Sequence, residues 1–153
     1  MAPPDHAPQG AYAAIMGTFA AGLGGAALLA KTLGREPREN GALDLVVLSL
    51  ATFKTARTIA RDEVASFIRE PFVEGEGEDP VGSGDLRQAI GELVTCSRCV
   101  GTWIAGGLTA AQIVAPRFGG VLTWSLAAAG ANDVLQAGFA ALTSKSNELE
   151  ETR

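Results

Sequence analysis

Cys96-Ser97-Arg98-Cys99 is the stretch best equipped for chemistry, because it holds both cysteines of the chain. An uncharged apolar run begins directly after it, at Val100. The pair is therefore expected just before a helix, where unpaired backbone N–H groups and the positive end of the helix dipole favour a thiolate. Arg98 adds positive charge. A reactive dithiol fits this setting, although there is no second cysteine pair to relay electrons. The pattern Cys-x-x-Cys-x-Gly, closing at Gly101, also looks like half of a zinc knuckle. A structural zinc takes four ligands, so Cys96 and Cys99 from each of two subunits would have to share one ion. Structural packing of the two side chains is the third reading. No complete catalytic constellation is visible, and the chain is read as non-enzymatic by default.

The elements that must position this pair follow from the distribution of charge. Of 153 residues 47% are apolar and only 19% charged, with 19 glycines, and the charge is gathered between the apolar runs and at the tail. Such segregation is what a bilayer imposes. A net charge of −5 with no basic stripe excludes a nucleic-acid footprint. Met1 to Gly10 has three prolines, the only histidine (His6) and no periodicity, so it reads as a flexible leader in which His6 is solvated. It has no Lys or Arg ahead of the apolar run and so lacks the charged start of a secretory signal.

Four apolar segments follow. Ala11–Ala30 has twenty uncharged residues, enough at about 1.5 Å per residue to cross about 30 Å of hydrocarbon. Its small residues repeat at four-residue spacing, Ala20 with Gly24 and Ala21 with Gly25, as in helices that approach closely in lipid. Lys31–Gly41 is a polar turn. Ala42–Ala60 is a second span carrying Asp44 near one end and Lys54 and Arg57 near the other, where long side chains snorkel. A long polar loop, 61–95, has an acidic, glycine-rich centre from Glu74 to Asp85 that reads as mobile and without calcium-loop spacing. Val100–Pro116 is the third span, with Trp103 at an interfacial depth. Residues Pro116 to Gly120 make a tight connection, and Gly120–Leu142 is the fourth span with one charge, Asp133. Thr143–Arg153 is a charged tail.

With four crossings the second and fourth helices run the same way, so their residues can be compared by depth. Arg57 lies roughly 15 residues into one and Asp133 roughly 14 into the other, both about 21 to 23 Å down. Opposite charges at one depth predict an ion pair, because an isolated ion in hydrocarbon costs several kcal/mol. The third helix starts from the far side, which brings Cys96 and Cys99 to the same face. The prediction is one polar site at a membrane face, built from Arg57, Asp133, Cys96 and Cys99 and rimmed by Arg61, Asp62 and Glu92. Six basic residues on that side against four on the other favour a cytoplasmic cysteine face.

These residues resemble the uncharacterised bacterial membrane-protein family known as domain of unknown function 1360, which has a sporulation-associated member in Bacillus. The resemblance spans roughly Leu43–Leu142. It rests on Ala51-Thr52-Phe53-Lys54, Ile59-Ala60-Arg61-Asp62, Arg69-Glu70-Pro71-Phe72, the run from Glu92 to Trp103 and Asn132-Asp133-Val134-Leu135-Gln136. The family usually has Cys-Pro-aromatic-Cys where this chain has Ser97 and Arg98. The resemblance implies an integral membrane fold and supplies neither an activity nor a mechanism. The combined expectation is an all-α polytopic protein of the bacterial inner membrane with about four transmembrane helices. It would act as a structural or interaction component among lipids, other membrane proteins or copies of itself. The alternative is a thiol-redox or zinc-binding protein using the Cys-x-x-Cys pair.

Overall fold

The computed structural model describes residues 7–36, 39–74, 79–80 and 86–151, and they form an almost entirely helical chain. Six α-helices occur in order: α1 Gln9–Thr32, α2 Ala42–Arg61, α3 Ser66–Arg69, α4 Leu86–Thr95, α5 Ser97–Val114 and α6 Pro116–Glu151. A two-residue antiparallel pair, β1 Val73–Glu74 with β2 Asp79–Pro80, is the sheet among the described residues.

The ends of these helices have local causes. α1 stops where Gly34 takes a positive φ of 63°, which lets the N–H groups of Gly34 and Arg35 return to the carbonyls of Lys31 and Ala30 at 3.1 and 2.8 Å. That left-handed conformation suits glycine because it carries no Cβ. α2 starts where Asp44 accepts the backbone N–H of Gly41 at 2.9 Å. It ends at Asp62, beyond which the buried Arg69 donates to the carbonyls of Ile59 and Asp62 at 2.7 and 3.0 Å. A guanidinium at a helix C-terminus satisfies orphan carbonyls and the negative end of the dipole together.

The bundle is centred on α2, which packs on α5 and α6, while α1 packs on α5 and α4. The core joins Val47 and Ala51 of α2 to Leu108 of α5 and Ala127 of α6. Contacts fix the helix directions. Ala127 lies with Val47 and Ala51, Gly130 lies against Leu50, and Asp133 against Lys54, so α6 runs parallel to α2. Leu108 joins Val47 and Ala51 while Gly101 meets Thr52 and Ala56, so α5 runs antiparallel to both. Phe19 of α1 packs edge-on against Trp103 at 5.1 Å between ring centroids. Gly130 is required by its neighbour: a Cβ there would lie 2.5 Å from the Leu50 carbonyl oxygen.

Several expectations need correction. By length and composition α1 alone qualifies as a membrane span among the described residues, not four helices. α2 and α6 carry charged side chains within their length, and Lys54 of one pairs with Asp133 of the other. The stretch 61–95 is not a continuous loop, since it holds α3, α4 and two 3-10 turns, Glu63–Ala65 and Glu70–Phe72. The tight connection is Ala115 alone, with Pro116 already the first residue of α6. Proline fits there because the first helical turn has no use for its missing N–H. The tail is helical through Glu151. His6 and most of the acidic loop, 75–78 and 81–85, lie outside the described residues.

Candidate functional site

The expected site residues gather at one end of the bundle but in three separate groups. The first is an ion pair inside it. Lys54 Nζ donates to Asp133 Oδ2 at 2.9 Å, with both side chains about a quarter to a third exposed. The partner of Asp133 is therefore Lys54 and not Arg57, which stands exposed on α2. The cause is register. With Gly130 beside Leu50, the first turn of α6 projects beyond the start of α2, so equal residue counts from the two starts do not mean equal depth.

The second group surrounds Glu92 on α4. Its carboxylate accepts the Ala7 N–H at 3.4 Å, the Tyr12 hydroxyl, and the Gln88 amide at 3.2 Å. One side chain thus ties the N-terminal segment and the start of α1 to α4. Tyr12 and Gln88 did not enter the sequence expectation. Tyr12 is the chain's single tyrosine, standing at the head of its most apolar helix, and that is the signal that could have marked it. Arg61 is exposed in the last turn of α2. Asp62, at the C-cap, accepts the Thr58 hydroxyl at 2.7 Å. Neither reaches Glu92 by a hydrogen bond or ion pair among the described residues.

The third group is the cysteine pair. Cys96 is the single residue between α4 and α5 and caps α5, its sulfur accepting the Cys99 N–H at 3.3 Å. Cys96 and Cys99 are joined in a disulfide across a Cα–Cα distance of 5.2 Å. Ser97, Arg98 and Cys99 are exposed, whereas Val100 is buried. In this state neither sulfur is a thiolate, so the pair offers no zinc ligand, and no cluster of three or more His, Cys, Asp or Glu occurs among the described residues.

A cleft of about 270 Å³ opens at the opposite end, lined in part by Asp44, Leu48, Gln112, Ile113 and Trp124. It lies where the start of α2 meets the α5–α6 turn. The sequence expectation placed nothing there.

Residues 47–139 match the family model described as protein of unknown function, DUF1360. The sporulation protein YjcA of Bacillus subtilis (strain 168) is 34% identical over 105 residues, covering 61% of this chain and 88% of that protein. The UPF0713 protein YngL of the same organism is 29% identical over 99 residues, covering 61% of this chain and 76% of its own length. No solved structure matches. The matched residues contain the Lys54–Asp133 pair, Arg69, Glu92 and both cysteines, and they leave out α1 up to the start of α2.

Proposed function

This chain belongs to the DUF1360 family, and from that premise we propose that it is a small integral membrane protein acting as a structural or interaction component. The bundle of α1, α2, α5 and α6 lies in the lipid, with the Glu92 and cysteine groups at one membrane face. The observation carrying this reading is packing that is inside out for water. Eight of the twelve buried apolar residues among the described ones are alanines, while Leu28, Leu135, Phe139 and Leu142 are 67 to 73% exposed. A protein surrounded by water gains about 1.5 to 3 kcal/mol for each large apolar side chain it buries. Leaving so many outside makes sense only where the outside is itself apolar. Lys54 with Asp133 turned toward each other between two helices is the arrangement hydrocarbon demands of charge. Among the described residues only α1 has the composition of a solitary span, which makes it the anchor against which the less apolar helices assemble.

In a bacterium the proposed location is the inner membrane with the cysteine face cytoplasmic, a reading supported by six Arg and Lys on that face against four on the other. Its partners are the bilayer and either other membrane proteins or further copies of the chain. Fractionation tests the reading. Membranes washed in alkaline carbonate should retain the chain in the pellet and release it only into detergent. Recovery in the carbonate supernatant would sink the proposal. A second reading, thiol redox chemistry, is favoured by the exposed Cys96–Cys99 disulfide.

A further inference from the structure

We propose that Cys96 and Cys99 form a two-electron thiol–disulfide exchange couple that is reduced by thiols outside the chain. The inference stands on the geometry of the α4–α5 joint and does not depend on whether lipid surrounds the bundle. Cys96 occupies the one-residue joint and Cys99 lies in the first turn of α5, so the disulfide closes across a helix N-terminus. The two sulfurs differ in surroundings. Cys99 is exposed, with exposed Ser97 and Arg98 beside it, and Cys96 is half-buried. The Cys96 sulfur already accepts the Cys99 N–H at 3.3 Å. A thiolate formed at Cys96 would therefore keep a hydrogen bond and sit at the positive end of α5, which makes it the better leaving group. The chain has no other cysteine, so electrons must come from another molecule.

An external thiolate attacks Cys99 Sγ, a new sulfur–sulfur bond forms, the Cys96–Cys99 bond breaks, and Cys96 leaves as a thiolate that takes a proton from water. A second external thiolate attacks the sulfur of the first and releases Cys99 as a thiolate, which is also protonated. The chain is reduced by two electrons to the dithiol, and the two external thiols are oxidised to a disulfide. Those thiols are either two small molecules or the paired cysteines of another protein.

The test uses the full chain in detergent, equilibrated against graded mixtures of reduced and oxidised glutathione and, in parallel, of a dithiol peptide. Thiols are then blocked and counted by mass. Both cysteines should convert together and reversibly in at least one series, with unchanged helical circular dichroism. Faster reduction by the peptide identifies a protein dithiol as the source, and faster reduction by glutathione a small thiol. Acid-quenched mapping of the glutathione mixed disulfide formed on the unaltered, oxidised chain should place the adduct on Cys99, the more accessible sulfur, with Cys96 released as the thiol. A disulfide untouched by either reductant while the protein stays folded overturns the proposal. So does a pair that cannot re-form after reduction, or equal capture at both positions.

Discussion

A carboxylate facing a neighbouring helix in an apolar surrounding is tolerable only with a cation against it, and Asp133 has Lys54 at 2.9 Å. In water a partly exposed pair of this kind contributes about 0.2 to 1 kcal/mol. Flanked by lipid, removing one partner strands the other in a medium that cannot solvate it, and the loss should be on the order of 2 kcal/mol. Asp133→Ala and Lys54→Ala are each expected to lower the thermal midpoint in detergent. The double variant should lose clearly less than the sum of the two, because the stranded charge is gone. Arg57→Ala, on an exposed residue, should leave the midpoint unchanged. A loss for Arg57→Ala matching that for Lys54→Ala would return the pairing to Arg57. The need of Asp133 for a cation from α2 was legible in the sequence, because an isolated acid in an apolar run is conspicuous. The choice between two cations three residues apart was not. It depends on helix stagger, which a contact between Gly130 and the Leu50 backbone sets and no residue count reveals.

That contact governs the elements too. α2 and α6 approach closely enough that a Cβ on Gly130 would lie 2.5 Å from a backbone oxygen, an atom that cannot swing aside. Gly130→Ala must push the helices apart and disturb Ala127 in the core and the Lys54–Asp133 pair on either side of it. Overpacking of this sort costs about 1 to 3 kcal/mol, against a gain of under about 1 kcal/mol in helix propensity. The variant should therefore be less stable. Gly24→Ala and Gly25→Ala in α1, where a Cβ would meet nothing within 4 Å, should be neutral or slightly stabilising. Thermal unfolding in detergent separates these outcomes, and a Gly130→Ala protein as stable as the parent would refute the stagger argument. The sequence made the opposite ranking natural, since the four-residue spacing of Ala20 with Gly24 and Ala21 with Gly25 is a visible pattern and Gly130 stands alone. Four long helices were legible from apolar runs, and their boundaries fell within a few residues except at α6. The charged tail looked like a helix end, yet Lys145 and Glu148 pair at 2.9 Å along a helix that simply continues. α4 was hidden because its ten residues mix polar and apolar side chains next to an acidic stretch.

At the scale of the whole molecule, the accessible surface of 10613 Å² is well above the roughly 7300 Å² of a compact soluble monomer of this mass. Part of the excess is shape, since α6 at 36 residues is about 54 Å long and none of its residues from Val134 to Glu150 is buried. Many of the molecule's large apolar side chains are exposed, and single-cysteine labelling in a C96S/C99S background tells whether lipid or water covers them. Leu28 and Leu135 are 67% and 71% exposed, and Lys145 and Glu148 have side chains 64% and 66% exposed. A bundle in water would let a membrane-impermeant maleimide react with cysteines at all four positions at similar rates. A bundle in lipid predicts a split in sealed vesicles and in vesicles opened by freeze–thaw. Cysteines replacing Leu28 and Leu135 should stay unlabelled in both until detergent is added, while those replacing Lys145 and Glu148 should label in at least one. Because the opened vesicles expose both faces, protection of the two leucine positions cannot be explained by sidedness. Rapid labelling at Leu135 without detergent would mean that water covers this face of α6, and that its apolar side chains await a protein partner instead of lipid.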